Sequence, residues 1–201
     1  RLWDYPNVKG EAVEQPVTAR INAYLVDASN VLVGKRSQPL SPQLGRVTKG
    51  SQPTDGGNLI VEKDDYDDVM ADPIAAKYLR PFKGAKELLH GLQRWCLWMA
   101  DDDFNPADIQ RSPILRSRVE AVQIGREKSK KAQTRELASV PYLFAERRAQ
   151  AVPYLCIPRH VSETRKYFIA QRFEPEVICG DANFQTPDED GVQFALISSS
   201  M

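Results

Sequence analysis

The sequence is poor in cysteine and histidine, with three cysteines and two histidines in 201 residues. The cysteines stand far apart, at Cys96, Cys156 and Cys179, and form no C-x-x-C pair. A zinc site of the usual ligand spacing is therefore not supported, and the two histidines are too isolated to suggest another metal site. Because each cysteine lies in an apolar run, we expect three reduced thiols in the core.

Long apolar runs are also missing. No stretch reaches the roughly 18 residues that a membrane-spanning helix requires. The opening residues Arg1 to Asp4 are followed by no apolar segment of the signal-peptide kind. We therefore expect a cytoplasmic protein with no membrane partner. The chain has no initiator methionine, and from this we expect a fragment or a processed chain.

Several familiar catalytic motifs are absent. The sequence has no G-x-G-x-x-G, no Walker loop and no G-x-S-x-G, so it predicts neither a phosphate-cradling loop nor a nucleophilic serine. The acidic runs Asp64–Asp68 and Asp101–Asp103 are interpreted as a solvated helix start and as a turn after a strand. A magnesium nuclease centre at Asp101–Asp103 would need a Glu-x-Lys partner, and none is evident. We predict no catalytic, cofactor-binding or metal site.

Charge is distributed unevenly, although the formal net charge is zero. Residues 55–72 contain seven acidic side chains and one lysine, a net charge of −6. Residues 111–148 contain ten basic and four acidic side chains, a net charge of +6. Because nucleic-acid binding depends on a local patch of charge, a net charge of zero does not exclude DNA as a partner.

The pattern of apolar residues predicts an α+β fold, a twisted mixed or antiparallel β-sheet with a long basic helical excursion. We predict strands at residues 21–26, 31–33, 58–61, 94–99, 152–158, 166–170, 177–179 and 192–197. The strand at 94–99 is apolar on both faces and is placed centrally in the sheet. Residues 34–57 are rich in glycine and proline and are predicted to form a long irregular loop.

Two helical regions are predicted. The first covers residues 64–79, with Pro73 kinking it or splitting it in two. The second covers about residues 105–138 and has an internal start at Ser112-Pro113, an N-cap followed by proline at the first helical position. Its inward residues are expected to be Leu115, Val119, Val122 and Ile124.

The last part of the second helix is strongly polar. At helical spacing Arg126, Ser129, Lys130 and Gln133 can share one face. Such a face can neutralise phosphates and hydrogen-bond to base edges. A merely solvated helix explains the composition equally well. Residues 159–166 offer a second basic segment between two predicted strands, which taken alone is also explained as a polar hairpin.

Several short blocks occur in a fixed order: Asn22–Asp27, Asp55–Leu59, Arg80–Glu87, Arg94–Trp98, Ile157–Tyr167 and Leu196–Met201. In this order they resemble the target-recognition domain of MmeI-like enzymes. Those enzymes are single-chain restriction–modification proteins that join an endonuclease, an adenine-N6 methyltransferase and a recognition domain. The resemblance spans roughly residues 20–201.

The resemblance implies that the chain is the double-stranded-DNA recognition module of such an enzyme. Residues 1–19 would be a linker from an upstream methyltransferase domain in the same chain, and residues 20–201 the recognition domain. The family's S-adenosylmethionine loop and Asn-Pro-Pro-Tyr/Phe motif are absent; Asn105-Pro-Ala-Asp108 lacks the second proline and the aromatic residue. S-adenosylmethionine and Mg²⁺ are therefore expected for the parent enzyme and not for this chain.

The resemblance and the basic segments together predict a set of DNA-contacting residues: Lys35, Arg36, Arg126, Lys128, Ser129, Lys130, Lys131, Gln133, Arg159, Ser162, Arg165, Lys166 and Gln185. Residues 159–166 are expected mainly to contact phosphates or brace the domain, because they match the shared pattern. Base-reading residues are expected in residues 38–54 and 180–193, with Gln185 and Asp188 as candidates.

Two other functions remain open at this point. One is a protein–protein interaction domain within a restriction complex, and the other is a stand-alone nuclease. The blocks shared with the family are assigned mainly to the fold. Within them Trp95, Leu97 and Phe82 are expected to be buried, and Gly84 to serve a tight turn.

Overall fold

The computed structural model describes residues 1–7, 9–32, 34–35, 38, 41–162, 165 and 167–199. The chain divides into two compact units, Arg1–Pro39 and Leu40–Met201. The linker boundary predicted after residue 19 stays a prediction.

The first unit contains one antiparallel strand pair. Strand β1 (Leu2–Asp4) pairs with β2 (Val13–Gln15). The strands predicted at residues 21–26 and 31–33 are wrong for the described residues, which form turns and a single bridge between Ile21 and Asp27.

A carboxylate explains why the predicted strand at residues 21–26 does not form. Asp27 accepts hydrogen bonds from the backbone N–H groups of Thr18, Ala19 and Arg20 at 2.6, 2.9 and 2.9 Å. The bond from Thr18 contributes most to holding the pKa of Asp27 below its usual range. Side-chain acceptors of this kind give the backbone an alternative to a strand ladder.

The second unit contains two four-stranded sheets. The first sheet has the order β3 (Thr48–Lys49), β10 (Asn183–Pro187), β7 (Tyr154–Pro158) and β8 (Gln171–Phe173), with every pair antiparallel. The second has the order β4 (Ile60–Val61), β6 (Trp95–Leu97), β5 (Leu79–Lys83) and β9 (Ile178–Cys179), and only β5 and β9 are parallel. The central position predicted for residues 94–99 is confirmed.

Six α-helices are described: α1 (Tyr66–Ala71), α2 (Ala85–His90), α3 (Ala107–Arg111), α4 (Pro113–Glu127), α5 (Ala132–Glu136) and α6 (Val192–Ser198). Short 3₁₀ turns lie at Lys63–Asp65, Ala75–Tyr78 and Leu137–Ser139. The predicted helix at 64–79 is split at Asp72 and Pro73, and its last residue, Leu79, begins β5. Pro73 therefore splits the predicted helix in two, which was one of the two predicted alternatives, and does not merely kink it.

Two strand predictions fail in the last third of the chain. The strand expected at residues 166–170 lies later, at β8, and residues 192–197 form helix α6. The Asp188 carboxylate accepts from the backbone N–H groups of Gln193 and Phe194 at 2.9 and 3.3 Å, which stabilises the start of α6. Strand β10, which precedes that turn, was not predicted.

The main hydrophobic core lies between the second sheet and helix α4. Its buried members include Leu59, Leu97, Trp98, Leu115 and Phe144. A smaller core beneath the first sheet contains Leu88, Tyr154, Cys156 and Cys179. All three cysteines are buried with free thiols, as predicted.

The blocks assigned to the fold behave largely as expected. Phe82 and Leu97 are buried, and Trp95 is partly buried against the main core. Gly84 does not form a tight turn. It is the N-cap of α2 with an extended backbone, and a Cβ there would lie 2.5 Å from Oε2 of the buried Glu87.

Candidate nucleic-acid interface

Helix α4 begins as the sequence predicts. The Ser112 hydroxyl accepts from the backbone N–H of Leu115 at 3.0 Å, and Pro113 is the first helical residue. Leu115, Val119 and Val122 face the core, whereas Ile124 is 50% exposed and was wrongly placed inside.

The helix ends much earlier than predicted. It stops at Glu127, and residues 128–131 separate it from α5. Arg126, Ser129, Lys130 and Gln133 therefore do not line one face of a single helix. The prediction of a continuous basic helix is wrong, because the chain turns where the apolar periodicity of α4 has already ended.

The burial of Arg126 also contradicts its prediction as a DNA-contacting residue, because Arg126 is only 2% exposed. Its guanidinium donates five hydrogen bonds of 2.7–3.1 Å, to the carbonyls of Pro53, Thr54, Leu137, Val140 and Leu143. Burial lowers the pKa of Arg126, and the nearby Asp55 carboxylate opposes that shift. Its N–H groups are used within the fold, so Arg126 cannot serve as an exposed DNA contact in this structure.

The other predicted residues of this region form a compact exposed group, here called the basic turn (residues 128–135). Lys128, Lys130, Lys131 and Gln133 are exposed and Ser129 is half-buried. None of the three lysines forms an ion pair with a carboxylate in the described part of the chain.

Local hydrogen bonds hold the basic turn together. The Ser129 hydroxyl accepts from the backbone N–H of Lys131 at 3.2 Å. Arg135 donates to the carbonyls of Ser129 and Lys130 at 2.9 and 3.0 Å. Three lysines on the connection between α4 and α5 are thus grouped with Arg135 on α5, an arrangement suited to a phosphate backbone.

A second exposed group follows strand β7 and is here called the segment after β7 (residues 159–162, 165, 167 and 168). Arg159, Ser162 and Arg165 are all exposed, and the carbonyl of Ser162 accepts from the backbone N–H of Arg165 at 3.1 Å. Lys166 lies outside the described residues. Strand pairing therefore ends near Arg159, as predicted for a polar segment between strands.

The same segment exposes two aromatic side chains that the sequence analysis did not select. Tyr167 is 84% exposed and Phe168 is 60% exposed. They were assigned to a strand at 166–170, where one of them would face the core. The alternation of cations with adjacent aromatic residues was the available signal, because stacking and charge together favour nucleic-acid contact.

Gln185 is not available as a DNA contact in this structure. It is 1% exposed on the central strand β10, and its side-chain amide donates to the carbonyls of Arg148 and, at 3.5 Å, Lys49. Asp188 is 2% exposed, and its carboxylate accepts hydrogen bonds from the backbone at the start of α6. The expectation that these two side chains read bases conflicts with their burial and is corrected.

The remaining predicted residues belong to the first unit. Lys35 is exposed there, and Arg36 lies outside the described residues. The structure thus brings together the basic turn and, separately, the segment after β7, and it leaves Lys35 in another unit.

The acidic segment (residues 62–72) is exposed over most of its length. Asp64, Asp67 and Asp68 are exposed and form no ion pair with a described residue, which fits a solvated helix start. Glu62 pairs with Arg94, and Asp65 pairs with Arg118 at 2.8 Å. The negative charge of this surface disfavours contact with a phosphate backbone.

The second acidic run is also structural. Asp101 accepts hydrogen bonds from Arg80 and from the Trp98 indole N–H, both at 2.9 Å.

Within the described ranges no group of three or more histidine, cysteine, aspartate or glutamate side chains is arranged to hold a metal ion. In those ranges, too, no helix is long and apolar enough to cross a membrane.

Comparison with known proteins shows what the chain is similar to. Residues 27–201 match the family model described as MmeI, target recognition domain. The chain is 30% identical over 152 residues to DNA methyltransferase A of Bacillus subtilis (strain 168), a match that covers 75% of this chain and 17% of that protein. A solved structure, the type IIL restriction-modification enzyme MmeI in complex with DNA, matches with a TM-score of 0.84 and 32% identity over 98% of this chain and 26% of that chain.

The fold and these matches define a recognition module that spans about a quarter of the solved enzyme and a sixth of the Bacillus subtilis relative. The chain belongs to the MmeI target recognition domain family. The resemblance seen in the short sequence blocks is thereby confirmed, and so is the α+β fold.

Proposed function

We propose that this chain is the module that recognises a DNA sequence for a restriction–modification enzyme with adenine-N6 methyltransferase activity. The observation that carries this proposal is the match over 98% of the chain, at 32% identity, to an enzyme solved with DNA. The family match over residues 27–201 supports the same role.

The physical chemistry of the exposed groups supports a DNA partner. A methyltransferase that acts on adenine N6 takes the base out of the duplex, so its catalytic pocket sees only that base. Another surface must contact the flanking sequence, with cations for the backbone and polar or aromatic groups for the bases. The basic turn offers Lys128, Lys130 and Lys131, and the segment after β7 offers Arg159, Arg165 and Tyr167.

Cofactor chemistry is assigned to other parts of the proposed parent enzyme. The residues here do not fit S-adenosylmethionine, because the sequence has no glycine-rich loop after a strand. The donor groups do not fit a magnesium site either, since Asp101 is engaged by Arg80 and Trp98. We propose that an upstream methyltransferase domain in the same chain binds the cofactor.

The decisive experiment exchanges the module. Residues 27–201 would replace the equivalent region of a family member whose methylated site is known, and methylated adenines would be mapped in DNA from cells that express the chimera. We expect the methylated sequence to follow the exchanged module. The reciprocal exchange, which keeps the module and replaces the catalytic domain, should leave the site unchanged. A chimera that keeps the site of the catalytic donor would contradict the proposal.

A further inference from the structure

Arg159 is exposed, yet its side chain is held in one orientation. One guanidinium N–H donates to the Asp181 carbonyl at 3.0 Å, and the Arg159 backbone N–H donates to the Ala182 carbonyl at 3.1 Å. The guanidinium carbon lies 5.7 Å from the centroid of the Phe184 ring, within the range of a cation–π contact. Backbone and side chain are therefore both fixed.

The strand that carries Phe184 is held within the sheet. Phe184 lies on the central strand β10, where it pairs with Ile157 on β7 and with Lys49 on β3. Directly paired residues point to the same face of a sheet, and so do residues two apart on one strand. Arg159 follows Ile157 by two residues, so it extends over the face that carries Phe184.

The charge of Arg159 is uncompensated within the described part of the chain, where no carboxylate lies within the 4.0 Å of an ion pair. Neighbouring cations differ in this respect. Lys49 lies 3.9 Å from Glu146, and Arg172 lies 3.8 Å from Glu174. Of the five N–H groups on the Arg159 guanidinium, one is used by the Asp181 carbonyl. The other N–H groups of the guanidinium can bind an anion.

We propose that Phe184 is a positioning residue, which together with the Asp181 carbonyl holds the Arg159 guanidinium ready to bind a DNA backbone phosphate. A planar guanidinium binds phosphate through two parallel hydrogen bonds, so its orientation decides how well it binds. A ring beneath it reduces the conformational freedom lost on binding. This inference rests on the proposed function, because it takes DNA as the partner.

The test is a double-mutant cycle in the full-length protein, with the dissociation constant for its cognate duplex measured over a series of salt concentrations. Arg159→Ala should weaken binding about tenfold and reduce the slope of log affinity against log salt by about 0.9, the contribution of one phosphate contact. Phe184→Leu should weaken binding about two- to fivefold. In the Arg159→Ala background, Phe184→Leu should cause no further loss.

Conservative and matched variants separate positioning from folding. Phe184→Tyr keeps the aromatic face and should bind like the wild type. Phe173→Leu truncates a half-buried ring on strand β8 of the same sheet, where it packs against Tyr154, and it should leave DNA affinity unchanged. Equal losses from Phe184→Leu in the two backgrounds would overturn the proposal while leaving DNA recognition intact.

Two other outcomes would overturn the phosphate contact or the proposed function. An Arg159→Ala protein that methylates a different sequence at full rate would assign Arg159 to base reading and overturn the phosphate contact. A wild-type protein that binds cognate and unrelated duplexes with equal affinity would overturn the proposed function itself.

Discussion

Gly50 lies so close to the backbone of Gly180 that it leaves no room for a side chain of its own. A Cβ added at Gly50 would lie 2.3 Å from the Gly180 carbonyl oxygen and 2.5 Å from that of Cys179. The contact joins the two sheets, because Ser51 donates its backbone N–H to the Cys179 carbonyl at 2.7 Å and Gly50 donates to that of Asn183 at 3.0 Å.

Gly50→Ala is therefore expected to destabilise the second unit by on the order of 3 kcal/mol, since both clashing atoms belong to backbone. Chemical denaturation of the chain measures the change. The control is Gly125→Ala in helix α4, where a Cβ meets nothing within 4 Å. That substitution should stabilise the protein by about 0.5–1 kcal/mol through helix propensity. Equal stability for the two variants would contradict the close approach.

Arg126→Lys should destabilise the protein although it keeps the positive charge. Lysine has three donors and no planar fork, so it cannot replace the five bonds to carbonyls of residues 53–54 and 137–143. Buried carbonyls left without a donor should cost on the order of 3 kcal/mol. Lys128→Ala, at the exposed neighbour, should stay within about 0.5 kcal/mol of wild type. Denaturation midpoints compare the two, and a stable Arg126→Lys protein would show that the arginine is dispensable to the fold.

Acid should unfold the protein partly through Asp108. The Tyr78 hydroxyl donates to this carboxylate at 2.8 Å and is the main reason that its pKa lies below the ordinary value of 3.8, with Lys77 and Arg111 adding to the effect. The stabilisation is thus present above the unfolded pKa and is lost as pH falls through the lower folded pKa.

Asp108→Asn should accordingly reduce the steepness with which the free energy of unfolding falls below about pH 4. Denaturation curves collected between neutral and strongly acid pH measure this steepness. Asp102→Asn removes an exposed carboxylate nearby and serves as the control. An unchanged acid profile for Asp108→Asn would mean that other carboxylates govern acid unfolding.

The comparison of sequence and structure shows which signals were informative. The capping of α4 by Ser112, the split at Pro73 and the central strand around Cys96 were all predictable, because each depends on local chemistry or on an apolar run. Helix α6 was not. Apolar and polar residues alternate in its sequence as they do in a strand. The Asp188 carboxylate accepts hydrogen bonds from the backbone that follows it, and these bonds favour a helix instead.

The site was harder to predict than the fold. Charge along the chain located the basic turn, but it could not show that Arg126 points inward, since burial of a guanidinium depends on carbonyls from two distant segments. The burial of Gln185 likewise follows from strand β10 lying between β3 and β7, a long-range pairing. A polar residue in a variable stretch is thus weak evidence for base contact.

Asp188→Ala should therefore lower stability and leave the recognised sequence unchanged. Losing the two hydrogen bonds that the Asp188 carboxylate accepts from the backbone of α6 should cost about 1–3 kcal/mol. The loss of the contact with Arg172, 3.9 Å away, adds to this cost. Thermal unfolding gives the first quantity, and mapping of methylated sites in the full-length protein gives the second. Glu189→Ala, at the adjacent exposed carboxylate, provides the matched control. A new methylated sequence from Asp188→Ala would restore its role as a base reader.

The basic turn should supply affinity without sequence preference. Replacing Lys128, Lys130 and Lys131 together by alanine should weaken binding to cognate and unrelated duplexes by similar factors, because phosphates are the same in both. The slope of log affinity against log salt should fall by about 0.9 for each lysine that contacts a phosphate. Folding should be unaffected, since all three side chains are exposed. Lys63→Ala removes an exposed lysine from the acidic segment and should leave the slope as it is. If the triple variant keeps the wild-type slope, the DNA-contacting face lies elsewhere, and the segment after β7 becomes the main source of charge at the interface.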